Sequence, residues 1–140
     1  VPAATLEQWA AEGAVEWLGH RDDIPEIWRQ SHIAVLPSYY REGIPRSLLE
    51  AAACGRVVVT TDMPGCREVV EDGVSGYLVP PRNVEALTAT LEKLVRDPAL
   101  RQRMGRKGRE LIERDLTEAY VVEQTMDVYS RLMTQTNMPA

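Results

Sequence analysis

The chain is poor in the residues that build metal and disulfide frameworks. Its 140 residues include only two cysteines and two histidines. Cys54 and Cys66 form no Cys-x-x-Cys pair and no paired-histidine motif accompanies them, which removes the common zinc and redox signatures. Cys54 closes an alanine-rich helix and reads as a buried, reduced thiol, whereas Cys66 falls in a loop. No apolar run approaches the length of a membrane span and no signal-peptide pattern is present, so the expected location is cytoplasmic. Excess positive charge is also missing: 16 Lys and Arg stand against 21 Asp and Glu, a formal net charge of −5. That balance argues against a broad nucleic-acid surface, and no nucleic-acid partner is expected. The one basic cluster, Arg101 to Arg109, is followed at once by Glu110, Glu113 and Asp115, and reads as a solvated helix face.

What is present is ordinary for a soluble globular domain: 44% hydrophobic and 26% charged residues, enough for one core. Strand and helix signals alternate. Residues 3–11 predict a short helix, Val15-Glu16-Trp17-Leu18 a strand, and Asp23 with Pro25 the start of a helix running to about Gln30. Ile33-Ala34-Val35-Leu36 predicts a strand stopped by Pro37. Pro45 opens a helix that Gly55 ends. The β-branched run Val57-Val58-Val59-Thr60 suits a strand buried on both faces of a parallel sheet. Arg67 to Val70 predicts one helical turn, and Gly76-Tyr77-Leu78-Val79 a last strand. Asn83 caps a helix with Leu87, Leu91, Leu94 and Val95 on one side. Asp97-Pro98 starts another helix and Thr117 the last, with Val121, Val128 and Leu132 on its apolar side. This order predicts an α/β fold with a Rossmann-like parallel sheet, flanking helices and right-handed crossovers. About four strands are visible, few for a complete doubly wound domain.

The stretch Arg41-Glu42-Gly43-Ile44-Pro45-Arg46-Ser47-Leu48-Leu49-Glu50 concentrates the chemistry. It leaves the end of a strand and enters a helix, which is where open parallel sheets bind ligands. The first amides of a helix lack partners within it, and the macrodipole is positive there, so a phosphate is well received. Gly43 removes a side chain where a ligand could approach. Pro45 forfeits an N–H the helix does not need, and Arg46 and Ser47 supply backbone donors. Glu50 lies about 7 Å along the axis from Pro45, comparable with the reach from a diphosphate to a ribose. A carboxylate can accept both hydroxyls of a ribose diol. The same spacing also fits a plain turn before a helix, with Glu50 on the surface.

Glu42 and Glu50, in the form Glu-Gly-Ile-Pro-x-x-x-Leu-Glu-Ala, resemble the Glu-x7-Glu motif of retaining glycosyltransferases of family 4. The similarity continues through Val35-Leu36-Pro37-Ser38, Ala53 to Asp62, Gly65 to Val70 and Asp72 to Pro81, covering roughly residues 15–135. It implies the carboxyl-terminal, donor-binding half of the two-domain GT-B architecture. By that resemblance Glu50 holds the ribose, Glu42 is the catalytic-site carboxylate on the sugar hydroxyls, and Gly43, Ile44, Pro45, Arg46 and Ser47 hold sugar and diphosphate. Gly19, His20 and Arg21 border the base; His32 is structural. The family's first donor-domain strand, its Gly-rich turn and its diphosphate-gripping basic residues have no counterpart before Ala11. Together with the initial Val1, this implies a partial domain, residues 1–140, whose acceptor domain and first strand are absent and which alone does not turn over substrate.

The implied reaction is transfer of a sugar, with retention, from a nucleotide-sugar to an acceptor hydroxyl in polysaccharide or glycolipid synthesis. UDP-sugars are the first expectation and GDP-sugars the second. The resemblance implies that prearranged donors stabilise the diphosphate leaving group. The usual alternative to them is a divalent metal bound by an Asp-x-Asp motif, and Asp22-Asp23 has the wrong spacing, so neither metal nor other cofactor is expected. The expected partners are the nucleotide-sugar donor and the missing acceptor domain, which would carry any peripheral attachment to the inner face of the membrane. Three other readings compete: a non-catalytic nucleotide-sugar-binding or regulatory module, half of a sugar-nucleotide epimerase, and a receiver-like signalling domain. The last lacks the acidic pair and lysine a receiver places at its strand ends.

Overall fold

A computed structural model of the chain describes residues 1–41 and 43–136. Three parallel strands, β1 (Ile33–Leu36), β2 (Val57–Thr61) and β3 (Gly76–Val79), lie in the order β1-β2-β3. Val58 of β2 is level with Ala34 of β1 and with Gly76 of β3. Six helices accompany them among the described residues: α1 (Ala3–Ala11), α2 (Ile24–Gln30), α3 (Arg46–Ala53), α4 (Val84–Arg96), α5 (Pro98–Asp115) and α6 (Glu118–Thr136).

The β-branched run of β2 is the centre of the molecule, with all five residues buried. Successive side chains of a strand point to opposite faces, and the two cores divide accordingly. Val58 packs with Ala34, Leu48, Ala51, Ala52, Val69 and Val70 on the α3 side. Val57 and Val59 pack with Val79, Leu94, Leu100 and Met104 on the α4 side. Helix α5 reaches both cores, because Met104 belongs to one and Ile112 to the other. It crosses beneath the amino ends of the strands, and its close approach depends on glycine. A Cβ on Gly105 would run into the Gly55 carbonyl oxygen and lie 3.4 Å from the Val57 nitrogen. Gly55 itself turns the chain out of α3 with φ +70°, a region that disfavours side chains.

Local chemistry explains most element boundaries. Asn83 Oδ1 accepts from the Ala86 amide at 2.9 Å, and Asp97 Oδ1 from the Leu100 amide at 2.8 Å, capping α4 and α5. Pro25 sits in the first turn of α2, but the Asp23 side chain does not cap it. That carboxylate is instead held by Arg21, with contacts of 2.7 and 2.5 Å.

Four expectations are corrected. Residues 15–18 form no strand, because no described segment pairs with them; Val15, Trp17 and Leu18 are all exposed. A strand needs a ladder partner, and its own sequence cannot supply one. Residues 67–70 form turns rather than helix, following bonds from the Cys66 and Arg67 amides to the Met63 carbonyl and a Gly65 at φ +90°. In α4 the packed stripe is Leu87, Leu91 and Leu94, while Val95, one step round the helix, is 65% exposed. Cys54 is half-buried, and Cys66 is the fully buried thiol. Helix α6 keeps its predicted apolar side, Val121, Val128 and Leu132, but that side is exposed. No helix among the described residues is long and apolar enough to cross a membrane.

Candidate functional site

The exits of the three strands and the mouth of α3 lie at the carboxyl end of the sheet. The path between β1 and α3 is set by two buried threonines that end β2. Thr60 Oγ1 donates to the Leu36 carbonyl at 2.8 Å, and Thr61 Oγ1 donates to the Ser38 carbonyl. These bonds fasten the outgoing chain of β1 to the neighbouring strand before it turns toward α3.

Helix α3 begins at Arg46, with Pro45 as its N-cap. A proline has no side-chain oxygen to offer the first amides, in contrast with Asn83 and Asp97 on α4 and α5. Pro45 and Leu48 are buried, and the Pro45 carbonyl receives the Leu48 amide at 3.0 Å, so the mouth is firmly seated. Gly43, Ile44, Arg46 and Ser47 are exposed around it. Nothing lies within 4 Å of a Cβ placed on Gly43, leaving open space beside the mouth. Glu50 sits one turn further on. Its side chain is two-thirds buried, and its carboxylate takes a 2.7 Å hydrogen bond from Arg46 Nε, whose own side chain is 90% exposed.

A second feature adjoins the strand exits. A cleft of about 230 Å³ is lined by Pro37, Tyr39, Thr61, Val79, Arg82 and Leu87, among others. Arg82 places its guanidinium 4.8 Å from the centre of the Tyr39 ring. It holds φ at +60°, the one positive value at a non-glycine residue among those described, a strained conformation that surrounding contacts must maintain. Tyr39 and Tyr40 pack at 4.3 Å between ring centres, and the hydroxyl contact to Tyr39 raises the Tyr40 pKa.

The family model of glycosyl transferases group 1 matches residues 4–111. The chain belongs to the group 1 glycosyl transferases. One relative is the N,N'-diacetylbacillosaminyl-diphospho-undecaprenol alpha-1,3-N-acetylgalactosaminyltransferase of Campylobacter jejuni. It is 32% identical over 133 residues, covering 94% of this chain and 35% of that protein. The chain thus spans about a third of the length of this curated relative. Among solved structures, the C-terminal domain of a group 1 family protein, LpcC from Francisella tularensis, superposes with a TM-score of 0.65 at 27% identity, over 79% of this chain and 60% of that one. A TarM variant from S. aureus, in complex with fondaparinux, alpha-GlcNAc-glycerol and UDP, gives a TM-score of 0.81 at 26% identity, over 91% of this chain and 26% of that one. The parallel sheet and its helices are the Rossmann-like carboxyl-terminal half of the GT-B architecture.

Within this group 1 domain the expected site residues separate into three sets. Gly43, Ile44, Pro45, Arg46, Ser47 and Glu50 come together at the α3 mouth. Glu42, the expected catalytic carboxylate, lies outside the described residues. Gly19, His20 and Arg21 form an exposed loop whose side chains pair locally: His20 Nε2 lies 3.2 Å from Asp22, and Arg21 holds Asp23. The Arg21 hydrogen bonds lower the Asp23 pKa. Sequence reasoning missed Thr60, Thr61, Tyr39 and Arg82. The only signal for the threonines was their place at the end of a valine run, where a hydroxyl in a buried strand needs a partner.

Proposed function

We propose that this domain binds the nucleotide-sugar donor of a retaining, family 4-like glycosyltransferase, with the diphosphate at the α3 mouth. The observation that carries this reading is the helix start itself: exposed Arg46 and Ser47 behind a proline cap, with open space at Gly43 and a glutamate side chain two-thirds buried one turn away. Backbone donors and the Arg46 guanidinium would meet the diphosphate charge. Glu50 would take the ribose hydroxyls. Its present partner is an exposed arginine at i,i+4, a pairing worth a few tenths of a kcal/mol, so exchanging it for a diol costs little. Glu42 is proposed for the hydroxyls of the transferred sugar, and Gly19, His20 and Arg21 for the edge of the base.

In the proposed reaction, the bond between the anomeric carbon and the donor's diphosphate oxygen breaks, and the acceptor hydroxyl oxygen bonds to that carbon on the same face. The hydroxyl proton passes to the departing diphosphate. Donors fixed at the α3 mouth stabilise the charge that develops on the leaving group, which lowers the barrier electrostatically. UDP is the proposed nucleotide, supported by UDP in the TarM complex. A hexosyl or N-acetylhexosaminyl group, moved to a lipid-linked acceptor, is supported by the activity named for the C. jejuni relative. The acceptor side is assigned to a further domain, so binding rather than turnover is the activity expected of these 140 residues.

The test is calorimetric titration of the chain with UDP, GDP and ADP, with backbone NMR locating the contact. UDP should bind most tightly, shifting the Arg46, Ser47 and Glu50 amides. Glu50→Ala should weaken UDP binding by roughly 10-fold or more, the effect of losing hydrogen bonds to a charged group. Shifts clustered elsewhere, or an unchanged affinity in Glu50→Ala, would overturn the assignment.

A further inference from the structure

Another cavity lies at the opposite end of the sheet from the α3 mouth. It is a groove of about 690 Å³ lined by His32, Gly55, Arg56, Pro98, Arg101, Gln102, Arg106 and Arg109. His32 immediately precedes β1 and Arg56 immediately precedes β2, so the groove sits below the amino ends of the strands. Arginines stand on two elements facing this space. Arg56 comes from the turn between α3 and β2, and the other three come from α5.

Their charge is poorly compensated. Arg56 is half-buried and is held by backbone alone: Nη1 donates to the Ser31 carbonyl at 3.0 Å and Nε to the Cys54 carbonyl at 3.1 Å. Arg101 is held in the same way by the last turn of α4, donating to the Leu94 and Val95 carbonyls at 2.6 and 2.9 Å. Arg106 makes no hydrogen bond or ion pair among the described residues. Only Arg109 has a carboxylate partner, Glu113, at 2.7 Å. No Asp or Glu lines the groove, although the chain as a whole is acidic. Two guanidiniums are therefore fixed in place without a counter-ion, beside the unpaired Arg106 and the Glu113-paired Arg109.

We propose that this groove is a second anion site, distinct from the α3 mouth, that takes a soluble ligand bearing two phosphate groups. Its size falls within the range of about 300–1,000 Å³ common for small-molecule pockets. Arg101 and Arg109 are eight residues apart, about 12 Å along the helix, more than one phosphate can bridge. Guanidiniums recognise phosphate through paired hydrogen bonds. Backbone carbonyls orient Arg56 and Arg101 in advance, which reduces the ordering cost of binding.

The test uses the 140-residue chain with inorganic pyrophosphate as probe, followed by NMR and calorimetry, with orthophosphate and anionic lipid vesicles run alongside. Pyrophosphate should shift the amides of Gly55, Arg56, Gln102 and Arg106, more tightly than orthophosphate and more weakly as salt is raised. Arg106→Gln alone, and Arg106→Glu with Arg109→Glu, should lower the affinity at these amides, the double variant by about 10-fold or more. Signals from Arg46 and Ser47 report the α3 mouth separately and should respond equally in all variants. Absence of shifts in the groove, or unchanged affinity in both variants, would overturn the proposal. Vesicle binding without pyrophosphate binding would overturn the soluble ligand in favour of a lipid headgroup.

Discussion

Thr60 and Thr61 show how much of the site rests on single hydroxyls. Thr60 is completely buried, and its hydroxyl satisfies the Leu36 carbonyl. Thr60→Val keeps the shape and removes this bond, leaving the Leu36 carbonyl the Ser38 amide at 2.9 Å, so urea denaturation should show the net loss of one hydrogen bond, about 0.5–1.5 kcal/mol. Arg21 and Asp23 make a contrasting case at the surface, each side chain a little under half exposed. Arg21's hydrogen bonds lower the Asp23 pKa, so any stabilisation from this pair is present above the unfolded carboxyl value of about 3.9 and fades as pH falls through the lower folded value. Arg21→Gln should return Asp23 to an ordinary aspartate titration, followed by carboxyl NMR. Glu50 could be picked out of the sequence because its spacing from Pro45 is a property of one helix. The threonines could not, since their acceptors, Leu36 and Ser38, lie more than twenty residues away in the chain.

At the level of elements, the junction of α5 with the α3–β2 turn is the most exacting contact. Gly105→Ala would press a methyl group into the Gly55 carbonyl, and about 1–3 kcal/mol of stability should be lost as backbone moves apart. Gly43→Ala, with open space around it, should leave the melting temperature unchanged and serves as control in the same thermal scan. The starts of α4 and α5 were legible to within a residue because Asn83, Asp97 and Pro98 act within a single turn. The strand expected at Val15 was not, because strand formation depends on a neighbour. Periodicity likewise identified the apolar side of α6 and carried no information about what that side meets. Pro45 is intermediate: it marks the start of α3, but the seating of that start comes from burial of Pro45 and Leu48 against the sheet.

Across the whole molecule, one strand organises everything. β2 separates two cores, holds the β1 exit through its terminal threonines, and starts where α5 passes underneath. The β-branched run announced this role in the sequence, since only a strand covered on both faces tolerates such uniform valine. The two ends of the sheet were less evenly legible. The α3 mouth is a contiguous motif, while the basic groove draws on His32, Arg56 and α5 together, and its arginines looked like one solvated helix face until the turn before β2 was set against them. The two thiols are also placed unequally, Cys66 fully enclosed among Val69, Val70 and the α3 side chains, and Cys54 half-open at the helix end. A maleimide should therefore modify Cys54 first. Cys66 should react only as often as the segment after β2 swings away, giving a built-in clock for breathing of the chain beside the carboxyl end of the sheet, and a single rapid phase for both sulfurs would show that this segment is not held shut.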